Sequence, residues 1–462
     1  MFTLEYMLDR CERAVNIALK HNADEAESFM LDKEIVTIRL ARSSIVEAKA
    51  VREKGLAMRI VKDKRVSGSS TSLLDDEHIQ HAVDKAISST SMMQRKEEWL
   101  SLPSGTSGSA NALDGCYDRM LEDMSVEDAA GLAYRMLDGV DGELVVSGAL
   151  HVVKEYTSIA NSNGISMGEK STYIIGSITA DYGNDYTGRV SGVGFDAART
   201  LRSFDAEHIA REASEMALNS RNASKAEEGT YSIIFEPYAL GELLSFVLAY
   251  NFNAKAYQDR RSCFHGSIGK SISVDELSIL DEPRRYNALG SKAFDDEGVS
   301  TYNKYLVEDG VMKGLVYDSF HAYKDNVKST GNALRPGYPV GRGINPLPYP
   351  SFHNIVIRDG SYRKDEIIKD TKHGLIVGRL WYTYAVNPEQ GDFSCTARSG
   401  IFEVKDGEVI GARRMVRIVD NLKRVLMNIS AIGRESRQIL QWHAIPCITP
   451  SIRVDGVRIV PL

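Results

Sequence analysis

The sequence predicts an α+β protein of two domains. An N-terminal domain of helices and antiparallel strands spans residues 1–222, and a β-rich domain spans 223–462. Three observations carry this reading. Helical and strand-type periodicities fall in separate blocks without βαβ alternation, which excludes a doubly wound sheet. The chain has 462 residues, enough for two or three domains at roughly 150 residues each. The polar run Asn219–Gly229 (NSRNASKAEEG) separates two stretches of regular patterning.

The elements follow in order. Leu4, Met7, Leu8, Cys11, Ala14, Val15 and Ala18 recur at helical spacing, so residues 4–20 predict an amphipathic helix. Short strands are expected at Ala26–Met30, Ile35–Ala41, Ile45–Val51, Leu56–Val61 and Val66–Ser72, an antiparallel meander with a turn at Lys62–Lys64. Asp75–Ile87 reads as a helix with acids in its first turn, where the dipole favours them. Ser101–Gly115 is rich in Ser and Gly and predicts a mobile excursion or linker. Ser125 and Asp128 have capping spacing for a helix to Leu137. Strands are expected at Glu143–Val153, Glu155–Asn161 and Ser171–Tyr182, then a helix over Ala206–Leu218 capped by Asp205. Beyond the boundary come a strand at Tyr231–Phe235 and a helix around Tyr238–Tyr257. Leu334–Pro350 carries five prolines and predicts irregular structure, and a last helix is expected over Asn421–Ile432.

Composition excludes several function classes. The net charge is −7 with basic residues scattered among acids, so there is no basic face for a nucleic acid. Leu240–Phe252, the most apolar helical stretch, is too short to cross a bilayer and contains Glu242, so no membrane association is expected. Residues 1–10 lack a signal-peptide pattern. The five cysteines are dispersed and odd in number, which is no disulfide framework. Together these predict a cytoplasmic protein with reduced thiols.

Most motif matches fail on context. Gly164-Ile-Ser-Met-Gly168 fits G-x-S-x-G but precedes a β-type run, so a hairpin turn is expected there. Ser104–Ala110 and Gly341-Arg-Gly343 lack the lysine and strand–turn–helix setting of a phosphate loop. His78 and His81 read as a surface pair, and His443, Cys447, Cys263 and His265 would hold a metal only by converging from afar. Asp295-Asp296-Glu297-Gly298 reads either as a solvated turn or as a carboxylate cluster near a cleft.

Six segments occur in a recognisable order: Ile279-Leu-Asp-Glu-Pro283, Phe294-Asp-Asp-Glu-Gly-Val299, Lys328-Ser-Thr-Gly331, Gly391-Asp-Phe-Ser394, Gly400–Gly407 and the stretch from Asn421 to Gly433. With the N-terminal helix, meander and Gly68-Ser-Ser-Thr71, the chain resembles the TldD/TldE (PmbA) peptidase family over nearly its whole length. The resemblance implies a two-domain fold and two subunit types. The TldD type carries H-E-x-x-x-H on the first helix of the C-terminal domain and a cysteine near the C-terminus, which together hold zinc. The TldE type lacks the helical motif and pairs with TldD to cleave unstructured peptides.

Aligned on Leu243-Leu244, this chain has Ser245, Phe246 and Tyr250 where the motif's His, Glu and His would stand. Cys447 stands near the cysteine position as an orphan ligand. The resemblance therefore implies a TldE-type subunit without metal or catalytic residues of its own, zinc being held by a TldD-type partner. Asp295, Asp296, Glu297, Lys328, Ser329 and Thr330 are the expected peptide-binding residues, from their place in the recurrent segments. A second reading is a stand-alone peptide- or protein-binding homodimer. A third is an enzyme built on Cys447, His443 and His265.

Overall fold

A computed structural model describes residues 1–105, 113–183 and 190–462. Its organising element is a six-stranded antiparallel sheet. The strands are β1 (Glu25–Ala41), β2 (Ser44–Lys62), β3 (Arg65–Thr71), β4 (Val145–Asn161), β5 (Ser166–Tyr182) and β6 (Val190–Ala198), in the order β3-β2-β1-β4-β5-β6. The expected meander is present, but its strands are long. The breaks expected at residues 31–34, 52–55 and 154 do not occur, and β1, β2 and β4 each run unbroken through them.

The charged residues suggested turns, yet they have partners within the fold. Asp32 accepts from Arg52 Nε at 2.8 Å, and Lys33 Nζ lies 3.3 Å from Glu155, both wholly buried. Both faces of the sheet are covered, so polar residues in the strands do not mark a solvent face.

One face carries helices. Helix α1 (Leu4–Lys20) buries Met7, Cys11, Ala14, Val15 and Ala18 as its spacing predicts, and packs with α2 (Asp76–Thr90). Helix α3 is a single turn, Arg119–Glu122, that the sequence reading missed. Helices α4 (Val126–Asp138) and α5 (Ala206–Asn219) cover the other half of that face. Their caps are the expected ones: Ser125 and Asp128 form a capping box, and Asp205 accepts from the His208 amide. Helix α5 lies so close to β6 that a Cβ on Gly192 or Gly194 would stand 1.9 Å from a helix carbonyl oxygen. Residues 162–165 turn between β4 and β5, as expected for the G-x-S-x-G match, and Ser166 Oγ donates to Glu12. Of the expected linker at 101–115, residues 106–112 lie outside the described residues, and with them residues 106–110 of the Ser104–Ala110 match.

The opposite face receives the C-terminal half. Strand β7 (Gly229–Phe235) pairs in parallel with His373–Asn387 and antiparallel with Ile452–Pro461. With Val416–Asn421 and Asp392–Lys405 these strands close into a ring, because His373–Asn387 also pairs with Asp392–Lys405. A second sheet runs Val311–Met312, Lys304–Glu308, Ile279–Asp281, Ile355–Ile357, Cys447–Thr449, Arg437–Ile439. The final expected helix is only Leu422–Met427; Ile429–Ile432 is a strand on Ile452–Pro461. Asn421 caps that helix and its Nδ2 donates to Asp392 at 2.8 Å, which joins two of the recurrent segments.

Between the halves lies a buried ionic network. Glu27, Lys33, Arg59, Glu155 and Glu169 project from the sheet toward the C-terminal half, and all are buried. Arg59 pairs with Glu27 and Glu297, Arg335 with Glu27, and Arg342 with Glu169 and Asp296. Removing one partner of such a group leaves an unpaired charge out of water, which costs about 3–5 kcal/mol. We therefore expect Arg342→Met to lower the unfolding free energy measured by urea titration by about 3–5 kcal/mol. Arg119→Met, on an exposed side chain, should leave the midpoint nearly unchanged.

Candidate functional site

The first helix of the C-terminal half has an unusual middle. It begins as α-helix at Pro237–Leu243, passes through a π segment at Leu244–Leu248 and ends at Ala249–Asn251; a separate short helix, Ala254–Gln258, replaces the continuation expected to Tyr257. Leu240, Leu243, Leu244, Val247 and Leu248 are buried and form a core-facing stripe. A π turn bonds i to i+5, so residues five apart share a face. Here they are Ser245 and Tyr250, and both line a cleft of about 390 Å³.

Three other segments complete the cleft. The proline-rich stretch contributes Leu334, Pro336, Val340 and Tyr349, the loop before Cys447 contributes His443 to Pro446, and loops of the C-terminal half contribute Lys292 and His353, with Tyr173 reaching in from the central sheet. The proline-rich stretch lacks regular structure apart from the pairing of Ala333–Leu334 with Tyr349–Pro350, as its composition predicts. It is held by the ionic network instead. Lys33 Nζ donates to the Val340 and Arg342 carbonyls at 2.5 and 3.0 Å, and the Arg342 amide donates to Glu155 at 2.7 Å. Gly341 (φ +78) allows this approach, because a Cβ there would fall 2.2 Å from Glu155 Oε2.

The cleft wall is polar at two buried points. Lys292 Nζ lies 3.4 Å from Asp296, and burial, reinforced by Arg342, pushes its pKa down. His353 is 1% exposed; its Nε2 donates to the Gly331 carbonyl at 2.7 Å and its Nδ1 has no partner. Burial pushes the imidazole down to about 4, so it is neutral at pH 7.

The six expected peptide-binding residues are placed unevenly, and none of them lines this cleft. Asp295, Asp296 and Glu297 are wholly buried, neither a solvated turn nor a surface for direct contact. Asp295 accepts from the Glu297, Val299 and Ala333 amides; burial and the Glu297 charge raise its pKa. Asp296 is held well below the usual carboxylate range, because Lys292 and Arg342 outweigh its burial. Glu297 is lowered too, with Arg59 and the Ser319 amide overcoming desolvation. Lys328 is exposed. Ser329 and Thr330 are half-buried, and Thr330 Oγ1 accepts from the Tyr317 amide at 2.7 Å. The Ile279–Pro283 segment holds Asp281, a buried carboxylate that accepts from Lys304, Asn332 and the His353 and Asn354 amides. Three of the recurrent segments thus brace the cleft wall from behind, through Asp281 and the Gly331 carbonyl on His353 and through Asp296 on Lys292.

The metal-ligand question turns on Cys447. Its thiol is buried, 3.3 Å from Ser245 Oγ and directed at the Gly241 and Ile445 carbonyls. Burial pushes its pKa up to about 12, which disfavours the thiolate that zinc requires. Ser245, Phe246 and Tyr250 supply no imidazole or carboxylate. His265 is exposed and bonds the Tyr257 carbonyl, and His443 Nδ1 donates to the Pro339 carbonyl. The convergence imagined for His443, Cys447 and His265 does not occur. Among the described residues no three His, Cys, Asp or Glu side chains gather as a metal site, so the donor set does not fit zinc.

This fold is that of a peptidase-related protein class. Family models for the PmbA/TldA metallopeptidases match in three parts: domain 1 at residues 26–90, the central domain at 119–221 and the C-terminal domain at 228–461. The chain belongs to this family, the TldD/TldE (PmbA) family of the sequence reading.

An uncharacterised protein of Methanocaldococcus jannaschii is 27% identical over 87% of this chain and 90% of its own length. Metalloprotease PmbA of Escherichia coli O157:H7 is 29% identical over 41% of this chain and 38% of that protein, and a TldD homologue of Buchnera aphidicola is 26% identical over 52% and 47%. The chain thus spans about half or less of those two metalloproteases. TldE from Thermococcus kodakarensis shares the fold with a TM-score of 0.86 at 24% identity, covering 98% of this chain and all of that one. A protein described as a putative modulator of DNA gyrase from Thermotoga maritima superposes with a TM-score of 0.83 at 22% identity, over 98% and 99%. Among the described residues no helix is long and apolar enough to cross a membrane.

The buried histidines give a pH signature. Burial lowers both His353 and His151 to about 4. Below the ordinary value of 6.5 the unfolded chain takes up protons that the native imidazoles refuse, so stability present above pH 6.5 is lost as pH falls toward 4. We expect the urea midpoint to fall over that interval and His353→Gln to flatten the fall, by on the order of 3 kcal/mol at most for that residue.

Proposed function

We propose that this chain is the TldE-type, non-catalytic subunit of a two-subunit zinc peptidase, and that its cleft forms part of the cavity that admits unstructured peptides. The observation that carries the reading is the helix wall itself. The cleft lies along the helix to which the resemblance assigns the motif of the metal-bearing subunits, and the aligned positions hold Ser245, Phe246 and Tyr250 beside a thiol engaged by Ser245. Zinc and the water-activating glutamate would come from a TldD-type partner in the cytoplasm. The wall that remains suits a peptide backbone. It is mostly apolar, with a few polar residues, Ser245, Lys292 and His353, along it. Asp295, Asp296 and Glu297 serve this cleft indirectly, through Lys292, Arg335 and Arg342. Lys328, Ser329 and Thr330 remain candidates for peptide contact at its margin.

The test is reconstitution. The purified chain, alone and mixed with a related chain bearing H-E-x-x-x-H, is assayed for co-elution, bound zinc and cleavage of an unstructured reporter peptide. We expect no cleavage and far less than one zinc per chain when alone, and a stable complex with cleavage when mixed. Cleavage by the chain alone that disappears in Cys447→Ser would return the activity to this subunit. A stable homodimer that binds peptide but ignores the partner would favour the stand-alone module.

A further inference from the structure

A second cavity, of about 300 Å³, adjoins the first and shares His443 with it. It lies between the central sheet, through His151 and Ser177, and the C-terminal half, through Tyr238, Arg379 and Trp442. Arg379 is its one distinctive group. The guanidinium carbon stands 6.0 Å from the centre of the Trp442 ring, and Nη1 donates to Thr179 Oγ1 at a long 3.3 Å. Nε is buried with no hydrogen-bond partner, and among the described residues the guanidinium has no carboxylate partner.

Nearly every other buried cation between the two halves is matched. Lys33, Arg59, Arg335 and Arg342, all buried, and the half-buried Arg437 each pair with one or more acids, and the buried Arg199 has backbone carbonyls on each of its nitrogens. Glu242 acts on Arg379 from nearby, but its carboxylate faces the Trp442 indole N–H at 3.4 Å, and burial pushes its pKa up. An under-bonded arginine at a cavity wall is a site waiting for an anion, because guanidinium donors pair strongly with planar oxyanions.

The neighbours narrow the ligand. His443 Nδ1 donates to the Pro339 carbonyl, which fixes the neutral tautomer and leaves Nε2 as an acceptor. His443 and Tyr338 are packed edge to face at 4.4 Å, and His151 stands 5.9 Å from His443. Burial keeps both imidazoles below their ordinary pKa, so neither adds positive charge at pH 7. A phosphate would thus meet one cation and several acceptors. A carboxylate attached to an amide suits the set better, with its oxygens on Arg379 and its N–H on His443. Trp442 and His443 hold these positions with φ of 50° and 57°, sparsely populated for such residues.

We propose that the Arg379–Trp442 cavity is a carboxylate subsite for peptides lying in the adjoining cleft, taking either a free C-terminus or an acidic side chain. The proposal rests on the peptide-cavity reading for the origin of its ligand, but the site can be tested apart from it. The probes are N-acetylated hexapeptides of alanine and glycine, titrated calorimetrically into the full chain. One has a free C-terminus, one a C-terminal amide, and one a C-terminal amide with a central glutamate.

We expect a carboxylate-bearing probe to bind about tenfold or more tightly than the neutral amide, the scale of one hydrogen bond to a charged group. Whether the terminal or side-chain carboxylate gives the gain identifies the source. Arg379→Met should erase the difference; Arg379→Lys, which keeps the charge without the planar fork, serves if the methionine variant does not fold. Equal affinity for all three probes, or a preference that survives both variants, overturns the subsite. If no peptide binds, glutarate is titrated alone. Saturable binding lost in Arg379→Met then keeps the subsite and removes the peptide reading, and no glutarate binding removes the subsite.

Discussion

The structure depends on a layer of paired charges buried between the central sheet and the C-terminal half. Glu27 and Lys33 on β1, Arg59 on β2, Glu155 on β4 and Glu169 on β5 face Asp296, Glu297, Arg335 and Arg342. Burying so many ions is costly, and an apolar interface of the same shape would often be as stable. What the ions supply is geometry. A stretch with five prolines cannot be ordered by its own backbone ladder, because it lacks donors and regular dihedrals. Lys33, by capping two carbonyls of that stretch, and Glu155, by accepting the Arg342 amide, do the ordering from outside. The cleft wall at Pro336–Gly341 therefore stands where β1 and β4 put it.

The same layer explains where the sequence was readable and where it misled. Helices α1, α4 and α5, and the caps of the last two, were legible because each needs only local spacing and a single capping side chain. The strands were cut short because Asp32, Lys33, Arg52 and Lys154 look like turn residues. A charge inside a strand is recognised as structural only when its partner is known, and the partner of Lys33 is 122 residues away at Glu155. The overlong final helix has a related cause. Asn421 signalled the start correctly, but Ile429–Ile432 is apolar on account of strand pairing with Ile452–Pro461, a contact between distant segments.

At the site, the residues that a metallopeptidase would need could be counted from sequence, and so could their replacement by Ser245, Phe246 and Tyr250. The carboxylate run at 295–297 drew attention for a sound reason, since clustered acids shift one another's pKa values. Its depth could not be read, and depth decides whether such a cluster touches a ligand or braces a wall. Lys292, His353 and Arg379 carried no motif at all. Their interest comes from what they lack: an acceptor for Arg379 Nε, a donor for His353 Nδ1, and full solvation for Lys292. An unmet valence is a property of the folded neighbourhood, and no spacing rule reports it.

The π segment joins these threads. A π turn is a local expansion of the helix, and it persists where neighbouring packing rewards it. Here the buried side is the leucine stripe and the open side presents Ser245 and Tyr250 together to the cleft. The H-E-x-x-x-H pattern that the resemblance assigns to the metal-bearing subunit type also sets its two imidazoles five residues apart. On the proposed reading, this helix has the shape of that motif without its chemistry. That favours a role in bounding the cavity, since a wall must fit whatever passes along it, and the fit belongs to the backbone as much as to the side chains.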